Sequence, residues 1–262
     1  MVKSLDPNYT VAFTRPKQYL EMPKPQTEEY GWCAVPRNRT NLPSKATANA
    51  PPLGVDFDAI WPKTDLVRKA QEYIQTVLPQ ETYNHSLRVY CYGHTMVSLH
   101  FKPWIANTQE AFFETWALTC LFYDLASTPQ NRSETHMSFE FHGGFLALQK
   151  LQSLGAPKAQ AESVCEAIIR HQDPGDTGTI SRMGQLVQIA TEFGEDNMGY
   201  QPWLIHENVI KSVVQQLPRL KWSSCFSKTI EAEIAEKEWC HTTVLDGFSQ
   251  AVAGNKLMEP YE

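Results

Sequence analysis

The sequence predicts an all-α fold. From Trp61 onward apolar residues recur at helical spacing, Pro and Gly punctuate the ends of those stretches, and no run of period-two alternation requires a sheet. The first 52 residues differ: they hold eight of the 17 prolines and sustain no apolar periodicity. Residues 1–54 therefore read as a Pro-rich extension of turns and extended pieces that wraps the domain or is partly disordered, with Trp32 as an anchor. Residues 55–262 read as one helical domain.

The elements follow in order. Leu66, Val67, Ala70, Tyr73, Ile74, Val77 and Leu78 mark the first helix, with Thr64 as N-cap, Asp65 in the first turn and Pro79 closing it. Further helices are predicted over residues 82–99, 109–123 and 138–154. Gly155-Ala156-Pro157 stops that helix and restarts another ending near His171. Gly175-Asp176-Thr177-Gly178 turns the chain into a helix over 181–192, and shorter ones are expected over 205–216, 224–238 and 244–252. His142 is followed by Gly143 and Gly144 inside a helix, which points to close backbone approach rather than helix propensity.

Composition excludes several functions. The net charge is −6 and no Lys/Arg run offers a phosphate track, so neither nucleic acid nor an anionic membrane is an expected partner. The six cysteines are scattered without a C-x-x-C pair, which argues against a zinc ribbon and a disulfide scaffold. Met1-Val2-Lys3-Ser4-Leu5-Asp6-Pro7 lacks an apolar export core, and no 18-residue apolar run exists. A cytoplasmic protein acting on a small molecule, with a homo-oligomer left open, is the expectation. The sequons at Asn38, Asn84 and Asn131 are then coincidences of composition.

Dinucleotide, Walker A, H-E-x-x-H and G-x-S-x-G motifs are absent. What remains is polar residues in apolar helices: Asn84-His85-Ser86, Tyr123-Asp124, His142 and Arg170-His171-Gln172-Asp173. With Glu81-Thr82-Tyr83 and Leu87-Arg88-Val89 flanking the first, Thr115 to Leu121, Met137-Ser138-Phe139, Gly143-Gly144, Glu166 to His171, Gly184 to Val187, Trp239 to Thr243 and Leu257 to Pro260, they carry a resemblance. The chain resembles the HD-domain family and, within it, the fungal cyanamide hydratases, from about residue 30 onward. The resemblance implies an HD-type helical bundle.

It also implies a metal site, from which this chain departs. An HD site takes a histidine early in one helix, a His-Asp pair ending the next, and a distant aspartate. The first maps onto His85; the pair maps onto Tyr123-Asp124; the last maps onto Gly194 without a gap, or onto Asp196 with a two-residue insertion. A neutral phenol is a poor ligand for iron or zinc where imidazole is a good one. Without the metal, nothing lowers the pKa of a bound water from about 15.7 toward about 7.

No metal cofactor is therefore expected; if one binds, His85, Asp124 and Asp196 are the candidate ligands. The leading expectation is a repurposed enzyme of biosynthesis doing metal-independent acid–base chemistry: isomerisation, dehydration or cyclisation. Tyr123 would be the proton donor, His85 or His171 the base, Asp124 the orienting group and His142 a further candidate. Asn84, Phe122, Met137 and Phe141 are candidate substrate contacts. Two alternatives stay open: a hydratase using iron or zinc, with His142, His171 or Glu195-Asp196 as substitute ligands, and a non-catalytic binding protein. His94, His100, His136 and His206 are read as capping or carbonyl-bonding residues, and His241 as a tie for the C-terminal segment.

Overall fold

In the computed structural model, which describes residues 24–173, 175–194 and 201–262, helices dominate. In chain order they run α1 (Lys24–Glu29), β1 (Ala34–Pro36), α2 (Phe57–Ile60), α3 (Asp65–Val77), α4 (Gln80–His100), α5 (Gln109–Phe122), α6 (Pro129–Ser133) and α7 (Phe139–Ser153). Then come α8 (Lys158–Ile169), β2 (Thr179–Ser181), α9 (Arg182–Gly194), α10 (Glu207–Gln216), α11 (Trp222–Glu236) and α12 (Phe248–Ala253). The all-α expectation holds, and the two three-residue strands pair antiparallel with Val35 opposite Ile180.

Local chemistry places the boundaries. Thr64 caps α3, its hydroxyl accepting from the Val67 N–H at 3.3 Å, and α3 buries the face carrying Val67, Ala70 and Ile74. α5 is apolar almost all round, so it is buried on every side and forms the centre of the bundle. α4 and α8 pack beside it, α9 lies against α4, and α7 lies against α8. The α7–α8 approach depends on Gly144, where an added Cβ would sit 2.6 Å from Ile169 Cγ1 and 3.1 Å from the Cys165 carbonyl oxygen. α4 meets α5 at Gly93, against the Trp116 ring, whose indole N–H donates to the Tyr90 carbonyl at 3.1 Å.

Residues 24–57 lie across this bundle through specific bonds. The Trp32 indole donates to Ala159 O at 3.0 Å, Ser163 to Tyr30 O at 2.6 Å and Trp203 to Pro43 O at 3.1 Å. Arg39 forms a bidentate pair with Glu192. All six cysteines are free thiols. Among the described residues no helix is long and apolar enough to cross a membrane.

The apolar interior has two parts. The larger is built on α3, α4, α5, α8 and α9; the smaller holds Trp222, Phe226, Ile230, Phe248 and Val252 of α11 and α12. The candidate site lies where they meet.

Candidate active site

His85 stands in the second turn of α4, and α5 delivers the next two residues as it ends. Tyr123 closes α5, its N–H donating to Thr119 O at 3.0 Å, and Asp124 begins a short 3₁₀ turn. Ser127 turns back on Asp124, its hydroxyl bonding the Asp124 carbonyl at 2.8 Å, so the chain reverses while that carbonyl stays satisfied. His171 follows the end of α8, and its Nδ1–H donates to Ile168 O at 2.7 Å. That bond fixes the tautomer and leaves Nε2 as a lone-pair acceptor.

These four residues converge. His85 Nε2 is 3.9 Å from Asp124 Oδ2, an electrostatic contact longer than a hydrogen bond. The Tyr123 ring lies 5.9 Å from the His85 ring and 5.5 Å, edge-on, from that of His171. Tyr123 and Asp124 are fully buried, His85 is 1 % exposed and His171 is 7 % exposed. The far face of His85 stacks on Trp222 at 4.1 Å with the planes 9° apart, and His171 rests on Phe139 at 5.5 Å.

Burial sets the charge states. It holds the His85 imidazolium well below its ordinary pKa, and the positive charges of Arg88 and Arg219 push the same way. Burial lowers His171 to about 4, with the Ile168 bond opposing and His241 adding to the shift. Both rings are neutral near pH 7.

The other expected site residues are placed differently. Asn84 is buried one step from His85, but its amide donates to Pro218 O at 2.9 Å and accepts from Gln80 at 2.7 Å. Phe122 turns toward α3 and stacks on Tyr73, while Met137 is 39 % exposed, its carbonyl accepting from Lys237. Phe141 packs edge-on against His241 at 5.6 Å. His142 is half-buried on α7 within electrostatic reach of Lys237 and Glu134, and it takes no part in the ring contacts of the cluster. Asp196 and Glu195 lie outside the described residues.

Three features escaped the sequence reading. Trp222 is the first residue of α11, which begins two residues before its predicted start at 224, after Leu220 and Lys221 adopt left-handed φ values of 56° and 62°. Arg88 lies one turn after His85 and was legible by i, i+3 spacing. The third is a buried polar knot at the start of α7. Glu140 accepts from His241 Nδ1 at 2.7 Å, and Glu233 accepts from the Phe139 N–H and the Thr242 hydroxyl, each at 2.7 Å. These bonds tie the turn holding His241 onto α7.

Of the positions that the resemblance assigns to a metal, the described residues offer His85 and Asp124. Among the described residues no group of three or more His, Cys, Asp or Glu side chains is placed to hold one. Tyr123 brings a phenol, a poor ligand, and of the two positions for the last ligand Gly194 has no donor side chain and Asp196 lies outside the described residues. Two guanidinium charges are felt at His85, a poor surrounding for a further cation.

No protein-family model matches the sequence. Two curated relatives do: the cyanamide hydratases DDI2 and DDI3 of Saccharomyces cerevisiae, each 36 % identical over 229 residues, covering 87 % of this chain and 97 % of the relative. The chain belongs to the cyanamide hydratase family. It is accordingly a lyase-type enzyme. In this chain the phenol of Tyr123 stands beside Asp124.

Proposed function

We propose that this member of the cyanamide hydratase family is a metal-independent HD-fold lyase, adding water to, or removing it from, a small activated organic substrate by acid–base chemistry. The observation that carries the reading is the buried Tyr123 ring, set between two neutral imidazoles and next to Asp124. A phenol between two such bases is a proton donor with acceptors already in place.

In the hydration direction an imidazole, His171 through Nε2 or His85, takes a proton from water as the water oxygen bonds to the electrophilic carbon. The Tyr123 hydroxyl protonates the far atom of the multiple bond. The imidazolium then returns its proton to the phenolate, which restores both groups and leaves one water added. Burial makes the imidazolium a strong acid, so the return is favourable. Asp124, 3.9 Å from His85 Nε2, stabilises positive charge on that ring. Elimination is the reverse, and isomerisation or cyclisation uses the same donor and acceptor without the water.

A second reading, a metal-dependent cyanamide hydratase, is favoured by the identity to DDI2 and DDI3 and by the retained His85 and Asp124. Metal analysis separates the two. Protein purified without chelator and assayed with cyanamide (product urea) and other small nitriles should carry well under one equivalent of iron or zinc. A chelator should leave turnover and melting temperature unchanged, because removal of a metal bound to the native state would lower both. Stoichiometric metal with chelator-sensitive turnover establishes the second reading instead.

A further inference from the structure

Arg88 is fully buried, yet among the described residues only one of its three nitrogens finds a partner. Nη1 donates to Leu217 O at 3.2 Å and to Pro218 O at 3.0 Å. Nε and Nη2 are buried with no hydrogen-bond partner among the described residues. The Tyr92 hydroxyl, one turn further along α4, is likewise buried and unbonded. Buried polar groups are almost always satisfied, so an open guanidinium edge with a hydroxyl nearby calls for an occupant. Arg219 provides the contrast. It is equally buried, but its Nε donates to the Glu262 carboxylate at 2.8 Å, and its Nη2 reaches Glu262 at 2.7 Å and Ser223 at 2.9 Å.

We infer that the Nε–Nη2 edge of Arg88, with the Tyr92 hydroxyl, is a binding site for the carboxylate of a small organic substrate. The two N–H groups of that edge are parallel and match the two oxygens of a carboxylate, the geometry for which arginine is suited and lysine is not. Charge points the same way. Burial holds Arg88 down to about 10, and of the described groups within its electrostatic reach, Tyr92, Arg219, Tyr123 and Glu262, the one carboxylate is already bonded to Arg219. A desolvated cation with no counter-ion of its own among the described residues favours an anion over a neutral acceptor. The site also lies beside the chemistry. Arg88 is one turn from His85, whose protonation it opposes, and it senses the charge state of Tyr123. A carboxylate held there would lie within electrostatic reach of Tyr123. This deepens the proposed acid–base reading by naming a substrate class, and it rests on the cluster being the reaction site. Binding is measured without turnover, so it succeeds or fails independently of Tyr123.

The test is calorimetric titration of the full-length protein with sodium acetate, alongside sodium chloride at equal ionic strength and acetamide as the neutral isostere. Acetate should bind saturably with one site per chain and raise the melting temperature, while chloride and acetamide should not. Tyr92→Phe removes only an unbonded hydroxyl, so it should fold as well as the parent and weaken acetate roughly tenfold or more. Arg88→Lys keeps the charge but loses the paired N–H groups and should abolish saturation; if it does not fold, Tyr92→Phe decides alone. Equal effects of acetate and chloride would mean a simple anion site, and equal effects of acetate and acetamide a neutral acceptor. Either result, no saturable acetate binding, or unchanged acetate affinity in Tyr92→Phe overturns the inference.

Discussion

Tyr123 gives the proposed chemistry a single-atom test, because phenylalanine keeps its ring in the same buried place and deletes the hydroxyl alone. General acid–base groups contribute on the order of 10²–10⁴-fold, and the turnover of Tyr123→Phe should fall by that much. Its stability should change by only about 1 kcal/mol, the worth of one hydrogen bond. Tyr123→His creates a His-Asp pair and should also lose the native activity, since the proton donor is gone. Full turnover in Tyr123→Phe would reduce Tyr123 to a packing replacement and leave His85 and His171 to be tested alone. The convergence of His85, Tyr123, Asp124 and His171 was legible because each stands near a helix end, within a stretch that carries the resemblance. Trp222 was not. It reaches His85 from far downstream, through a turn whose two left-handed residues, Leu220 and Lys221, carry no glycine or asparagine to signal that conformation.

At the scale of elements, periodicity located the long helices because each buries a face or its whole circumference. α4, predicted over 82–99, runs Gln80–His100, and α5, predicted over 109–123, runs Gln109–Phe122. The β1–β2 pair escaped because three residues are too few to show a period of two. His100 and His206 behave as their sequence reading expects: His100 bonds Leu204 O at 2.7 Å, and His206 caps α10 by accepting from Asn208 N–H at 3.1 Å. The two glycines of α7 separate close packing from propensity. At Gly144 a Cβ would press on Ile169 and on the backbone of α8, whereas at Gly143 it would meet Ala126 Cβ at an ordinary 3.4 Å. Gly144→Ala should therefore cost about 1–3 kcal/mol of overpacking. Gly143→Ala should be neutral or stabilising by up to about 1 kcal/mol, the helix propensity that alanine adds. Urea denaturation of the two variants decides it; equal effects would mean that the α7–α8 approach is not set by Gly144.

Across the whole molecule, the apolar core of the bundle and the smaller one of α11 and α12 meet on the His85–Trp222 stack, so the protonation state of the site is tied to the stability of the fold. Burial lowers His94 and His171 to about 4 and holds His85 well below its ordinary value. In the unfolded chain each titrates near about 6.5. Between those values the unfolded state binds more protons than the native one, so stability rises with pH and is lost as pH falls from about 6.5 toward about 4. At about pH 5 the loss is on the order of 2 kcal/mol for each of His94 and His171. Glu140 acts in the opposite direction. Burial, with the Glu233 charge adding to it, raises its pKa against the bonds that lower it, so the native state holds that proton more tightly and gains stability in acid. His142 is lowered by burial as well, and these histidines outweigh one carboxyl, so the net expectation is a steep fall. Urea unfolding midpoints should drop clearly between neutral pH and about pH 5, and His94→Gln, which removes one of these titrations, should make the drop smaller. The aromatic surroundings of His94, with Phe113 at 4.2 Å and Tyr90 at 5.9 Å, lie apart from the rings of the site, so this variant tests burial without disturbing Tyr123. A midpoint that stays flat across that interval would mean that these imidazoles are solvated or charged in the native state, and the neutral bases on which the proposed chemistry depends would go with it.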